Sequence, residues 1–202
     1  MTLLHLSDTH GHHRWLTDLP QADVVVHSGD ITENGTEREA LDFLEWFCDL
    51  PHPHKLFVAG NHDACLCGAA INGLPADVHY LCYSGVEIDG IRFWGIPMLL
   101  TDILSGKYLS EIKCIPDGTD VLITHEPPFA ILDEADSIHY GNQELLERVK
   151  EIKPQYHLFG HVHTAFGTVE QKGVVFSNAS MQENELFIIH NSQLKSIVHH
   201  AL

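Results

Sequence analysis

Five times in this chain, a short apolar run ends in side chains that bind metals. Residues Thr2 to Ser7 lead into Asp8-Thr9-His10, Ala22 to Gly29 into Asp30, and Lys55 to Gly60 into Asn61-His62-Asp63. Further on, Asp120 to Thr124 precede His125, and Tyr156 to Gly160 precede His161-Val162-His163. Each run has the length and branched-residue content of a buried strand. Ligands that follow strand after strand are expected to gather at one edge of a single sheet, where open α/β sheets place their sites. Asp8 and His10 are one residue apart, as are His161 and His163. In extended backbone that spacing points both side chains to the same face. Carboxylate with imidazole suits Mn, Fe, Zn or Co better than the oxygen-seeking Ca. No cysteine stands in the clusters, which argues against a structural zinc site.

The bulk of the sequence narrows the setting of that chemistry. A chain of 202 residues, 44% of them hydrophobic, can bury a sizeable core and is expected to form one domain over 1–202. No apolar stretch approaches the ~18 residues of a membrane span. The N-terminal apolar run passes straight into Asp8 without a basic segment or small-residue cleavage site, so it reads as a first strand rather than a signal peptide. Five cysteines (Cys48, Cys65, Cys67, Cys82 and Cys114), odd in number and without C-x-x-C spacing, read as free thiols of a cytoplasmic protein. Eleven basic against 28 acidic residues give a formal charge of −17. Such a field repels polyanions, which disfavours duplex nucleic acid and a general nuclease and favours a small phosphorylated substrate. Nothing predicts a membrane partner.

Thr36 to Leu50 is expected to be a helix, with Ala40, Leu41, Leu44, Phe47 and Cys48 inward, a capping box from Thr36 to Glu39, and Pro51 and Pro53 behind it. A second helix is expected from Asn142 to Ile152, burying Leu145, Leu146, Val149 and Ile152. Asp89-Gly90 marks a hairpin, and two more are expected over Gly167 to Phe176, turning near 171–173, and over Leu186 to Val198, turning at 191–193. The segment from Pro97 to Pro116 is the least regular. It reads either as a functional lid or as a surface helix packed by Leu99, Ile103 and Leu104.

Singly, each cluster could be a turn, a cap or a chance pairing in a chain with 17 histidines; the ordered set of five is not so easily dismissed. Asp8-x-His10, Gly29-Asp30, Gly60-Asn61-His62-Asp63, His125 and Gly160-His161-x-His163 together resemble the motifs of the calcineurin-like metallophosphoesterases, over roughly Leu3 to Ser180. Ser7 to His10, Ile123 to Pro128, and Phe159 to His161 with Asn178 to Ser180 are most similar to one small subgroup, the metallophosphoesterase-domain-containing proteins related to fetal-brain cyclic-nucleotide phosphodiesterases. Some mammalian members carry glycine where this chain has His161, so the resemblance implies a complete two-metal site.

The resemblance implies a four-layer αββα sandwich of two packed mixed sheets flanked by helices. It implies two divalent ions (Mn, Fe, Zn, Co or Ni, with Mn favoured), the first held by Asp8, His10 and His163 and the second by Asn61, His125 and His161, with Asp30 bridging. A metal-bridging hydroxide would then hydrolyse a small phosphoester. His62 would protonate the leaving group or stabilise its charge, as a group with pKa near working pH can. The subgroup points to a phosphodiester such as a cyclic nucleotide. A phosphomonoester is the alternative, with a non-catalytic scaffold or a nuclease behind it. Asp63 is a candidate to orient His62. His27 is either a hydrogen-bond partner behind the metals or a satisfied core residue, with the second reading preferred. His12 and His13 could meet substrate but read more simply as exposed loop. No role is assigned to His5, His52 or His157.

Overall fold

The computed structural model describes residues 1–181, 185–190 and 197–201, the last two stretches as strand backbone. Its centre is a pair of six-stranded sheets. In the first, β1 (Thr2–Leu6), β2 (Val24–His27), β3 (His54–Phe57) and β4 (Val78–Tyr80) run parallel. On the other side of β1 lie the antiparallel β13 (Glu185–His190) and β14 (Ile197–Ala201). In the second sheet, β6 (Ile91–Ile96), β7 (Val121–Thr124), β10 (Tyr156–Phe159) and β12 (Val174–Asn178) run parallel. Antiparallel edges are added by β5 (Ser84–Ile88) and β11 (Gly167–Gln171). A small ribbon, β8 (Glu134–Ala135) with β9 (Ile138–His139), stands apart.

Strand alternation divides the core into three layers. Leu3, Val24, Val26 and Leu56 of the first sheet meet Phe93, Val121, Ile123 and Leu158 of the second. On the outer face of the first sheet, Leu4, Leu6, Val25 and Phe57 pack against Ala40, Phe43 and Phe47 of α1 (Glu37–Asp49). On the outer face of the second, Leu122, Phe159 and Phe176 receive Tyr108 and Ile112 of α3 (Lys107–Lys113) and Leu145 and Val149 of α4 (Gln143–Ile152). The result is the αββα order of layers. Strands buried on both faces must be apolar at nearly every position, which is why the five runs read as continuous apolar segments.

Both long helices begin where capping chemistry places them. Thr36 Oγ1 accepts from Glu39 N at 3.3 Å while Thr36 N donates to Glu39 Oε2 at 3.0 Å, and Asn142 caps α4 by accepting from Leu145 N. On α1 the inner face is carried by Phe43, whereas Leu41, expected inside, is 66% exposed. The Asp89-Gly90 and Lys172-Gly173 turns both have positive φ at their two central residues, the conformation that matches hairpin twist. The turn expected at 191–193 lies outside the described residues, although β13 and β14 pair antiparallel on either side of it. Residues 97–116 form α2 (Leu100–Ser105) and α3, joined at Gly106. Tyr108 and Ile112 seat this segment on the second sheet, while Ile103 and Leu104, expected to pack it, are exposed. No helix of the described residues is long and apolar enough to cross a membrane.

Candidate metal centre

The ligand-bearing loops leave the C-terminal ends of β1, β2 and β3 in one sheet and of β7 and β10 in the other. The expectation of a single sheet edge is therefore corrected. Parallel strands of two stacked sheets deliver their loops to a common end, and the site forms between them. The expectation of extended backbone also fails. Asp8, His10, Asp30 and His161 all have positive φ, between 44° and 72°. Non-glycine residues rarely adopt such angles, and where they do they concentrate at functional sites. The chain curls sharply after β1, β2 and β10, and His161 and His163 diverge instead of sharing a face.

Three groups of potential ligand atoms result: Asp8, His10 and His163; His10, Asp30 and His62; and Asp30, His125 and His161. His163 Nε2 lies 3.4 Å from Asp8 Oδ1 and 3.3 Å from His10 Nε2. His125 Nε2 lies 3.3 Å from Asp30 Oδ2 and 3.1 Å from Asn61 Oδ1. Asp30 stands between the halves, 3.8 Å from His10 Nε2 on the other side. His62 N donates to Asp30 Oδ1 at 2.9 Å, and the His161 amide donates to the Asp8 carboxylate at 3.1 Å. All seven expected ligands are thus gathered, and His62 sits at the edge of the group.

Hydrogen bonding decides what this arrangement can hold. A backbone carbonyl can only accept, so each ring nitrogen facing one carries the proton. His125 Nδ1 donates to Ser28 O at 2.9 Å, His163 Nδ1 to Met181 O at 3.2 Å and His62 Nδ1 to Glu33 O at 2.9 Å. The Nε2 atoms of His125 and His163 then face carboxylate and amide oxygens. Those oxygens call for positive charge at this point, a proton on the ring or a metal cation in its place, and outer carbonyl acceptors of this kind are what orient metal-bound histidines. The electrostatics agree. Burial acts to lower the His125 pKa, but Asp30 and Asp8 override it and raise it to about 10. Burial would raise the Asp8 and Asp30 carboxyls, yet His125 beside them holds both below the usual range. Burial, with His125 adjacent, takes His161 down to about 4. The residues fit a site for divalent cations.

Two glycines are required by close approach. A Cβ at Gly60 would overlap the Asp30 carboxylate, and one at Gly160 would overlap the Asp8 carboxylate and the Ser7 hydroxyl.

Behind the ligands, several expectations change. Asp63 does not orient His62. Its carboxylate accepts from Ile31 N, Thr32 N, Thr32 Oγ1 and Gly60 N at 2.8–3.2 Å, stapling the β2 loop to the β3 loop, and the Glu33 carbonyl holds the His62 ring instead. His27 is buried against Phe43 and bonds Thr9 Oγ1 at 3.0 Å, so it is a core residue that also braces the first loop. His12 is exposed and stacked on Trp15, whereas His13, expected in exposed loop, is fully buried with Nε2 3.1 Å from Asp42. His5, given no role, bridges Ser28 Oγ and Ser177 Oγ at 2.9 Å each between the sheets. A histidine in phase with Leu3 inside an apolar run was the signal available for it. Beside His10 opens a cleft of about 740 Å³, walled by His12, Glu33, Arg38, Leu41, Asp42 and Glu45 among others.

Residues 1–165 match the calcineurin-like phosphoesterase family. A UPF0046 protein of Caenorhabditis elegans is 36% identical over 197 residues, covering 87% of this chain and 68% of its own. Human metallophosphoesterase domain-containing protein 1 is 30% identical over 214 residues, covering 87% of this chain and 64% of its own. The chain belongs to the calcineurin-like phosphoesterase family, whose members hydrolyse phosphoesters at a dinuclear divalent metal centre. It spans about two thirds of the length of these relatives. Among solved structures, one superposes with a TM-score of 0.76 at 17% identity, covering 99% of this chain and 98% of that one. Another, GAP50, described as the anchor in the inner membrane complex of Plasmodium, gives 0.59 at 12%. Both likenesses are of fold alone, and fold does not decide between enzyme and anchor.

Proposed function

We propose that this chain is a phosphodiesterase that hydrolyses a small phosphodiester of the cyclic-nucleotide type. The observation that carries the choice of ester is the acidic wall of the cleft beside His10, formed by Glu33, Glu39, Asp42 and Glu45. A phosphomonoester carries a second ionisation with pKa of about 6 and is close to dianionic at neutral pH, whereas a diester carries one charge. Carboxylates along the approach penalise the dianion more. A phosphomonoesterase is the second reading, since the gathered ligands recognise the phosphoryl group common to both.

In this reading Asp8, His10 and His163 hold one cation, Asn61, His125 and His161 hold the other, and Asp30 lies between them. Divalent cations held by these residues would supply neutralisation of phosphate charge and a water activated as nucleophile. The chain's own part is orientation and proton handling. The Ser28 and Met181 carbonyls fix the His125 and His163 rings, and the His161 amide steadies Asp8. His62, tethered at Nδ1 by Glu33 O, presents Nε2 as the atom that holds a proton for the leaving oxygen. The seven ligands, with no position lost, support catalysis over a scaffold role. Manganese is the metal we favour for this mixed nitrogen and oxygen set. Five free thiols among the described residues support a reducing, cytoplasmic setting for a one-domain protein. The charge of −17 supports a small substrate over duplex nucleic acid.

The test is a pair of assays on Mn-loaded protein, with bis-p-nitrophenyl phosphate and p-nitrophenyl phosphate. Faster turnover of the diester is expected; a large preference for the monoester would overturn the reading. His62→Ala should keep its metals and lose turnover by roughly 10²- to 10⁴-fold, the range typical of one general acid.

A further inference from the structure

The cleft beside His10 contains one guanidinium in a wall of carboxylates, and all of these carboxylates except that of Glu33 are already engaged. Both Glu39 oxygens are used at the start of α1, Oε1 by Asn34 N and Nδ2 and Oε2 by Thr36 N and Oγ1, at 2.6–3.1 Å. Asp42, one helical turn from Arg38 and its natural partner on α1, is taken instead by Arg14, through Nε at 3.1 Å and Nη2 at 2.8 Å. His13 Nε2 lies 3.1 Å from its other oxygen. Glu45 is taken by Arg14 Nη2 at 2.8 Å. Arg38 is left lining the cleft with no hydrogen-bond or ion-pair partner among the described residues. Glu33, on the same wall, has only a 3.5 Å contact with His10 Nδ1, and Leu41 presents an apolar surface that is 66% exposed.

We propose that Arg38 is a specificity-determining residue that reads a guanine base in this cleft, a refinement that rests on the nucleotide-phosphodiester reading above. The chemistry selects the base. A guanidinium is a rigid fork of donors, and guanine O6 and N7 form a matching pair of acceptors, whereas adenine places an amino donor beside its N7. Guanine also presents donors at N1 and N2, which suit the uncommitted Glu33 carboxylate. A second phosphate is a poorer match for the same fork, because the surrounding carboxylates repel it. Leu41 offers the base an apolar contact of the kind that lines small-molecule sites.

The experiment compares 2′,3′-cyclic GMP with 2′,3′-cyclic AMP on Mn-loaded wild type, Arg38→Ala and Arg38→Lys. Binding of GMP and AMP is measured in parallel by titration calorimetry; these two share a phosphate and differ only in base. Wild type should prefer the guanine substrate in kcat/KM by roughly 10- to 100-fold, the discrimination of one bidentate arginine–guanine pair. The preference should appear mainly in KM and recur in the binding constants. Both variants should bring the ratio to about one, the lysine included, because it keeps the charge and loses the fork. A wild type without base preference, or an Arg38→Lys variant that retains it, overturns the role of Arg38 alone. Turnover of p-nitrophenyl phosphate but of neither cyclic nucleotide overturns the phosphodiesterase reading and this refinement with it.

Discussion

Replacing His157 by glutamine should flatten the acid side of the stability profile, and the structure supplies the magnitude. Thr124 Oγ1 donates to Glu126 O, so His157 Nε2, 2.9 Å from that hydroxyl, must be the donor and Nδ1 the unprotonated nitrogen. Nδ1 has no partner among the described residues, and the ring lies between Phe159 and Phe176. Adding a proton would bury an unpaired charge, and burial accordingly takes the His157 pKa down to about 3 from 6.5. The native state therefore keeps this histidine neutral across the range in which the unfolded chain takes up a proton. Stability is full above pH 6.5 and is lost as pH falls from there toward 3. Between pH 7 and pH 5 the loss from one such group is about 2 kcal/mol, with a limiting slope near 1.4 kcal/mol per pH unit. Glutamine keeps an N–H for Thr124 and cannot titrate. The assay is urea unfolding at a series of pH values, with chelator present so that metal binding does not mask the effect. His157→Gln should lose about 2 kcal/mol less than wild type over that interval. Parallel profiles for the two proteins would refute the argument. His5 and His27, both taken down to about 3 by burial, act with the same sign, so the wild-type slope should exceed one proton's worth.

Two further outcomes are expected. Asp63→Asn turns an amide toward backbone N–H groups that now meet a carboxylate, leaving one or two buried donors unpaired; a loss of about 3 kcal/mol in urea unfolding follows, and a loss under about 1 kcal/mol would show that Asp63 is no staple. Gly160→Ala drives a methyl into the Asp8 carboxylate, so metal analysis should find fewer ions bound per chain than in wild type, with far-UV circular dichroism unchanged; full occupancy would mean that the close approach is not required.

How much could be read from the residues follows from where the constraint is local. The five runs were readable because both-face burial leaves its mark on every residue of Val24–His27 or Val121–Thr124. The caps at Thr36 and Asn142 and the Asp89-Gly90 turn were readable because a few adjacent atoms determine them. What escaped depends on distant partners. The division of the strands between two sheets is set by pairings such as β1 with β13, almost the whole chain apart. Leu41 and Phe43 are equally apolar in a helical repeat, and only the position of Phe57 decides that Phe43 faces inward. The left-handed residues Asp8, His10, Asp30 and His161 carry no local mark either, since aspartate and histidine tolerate such angles without requiring them.

The same division separates His161 from His163. In extended backbone a one-residue spacing keeps two side chains on one face, whereas the family resemblance assigns these two histidines to different ions. In the structure His161 has φ of 72° and His163 begins a short 3-10 turn, which sends one ring toward Asp30 and His125 and the other toward Asp8 and His10. The turn is what makes two sites from one loop. It is held by the His161 amide on Asp8 and by the Gly160 approach to that same carboxylate, so one residue of the first cluster shapes the last. Asp8 thus both belongs to the first group of ligands and forms the mould for the loop that completes the second. Removing its charge should disturb both groups together, whereas loss of His163 should disturb only one.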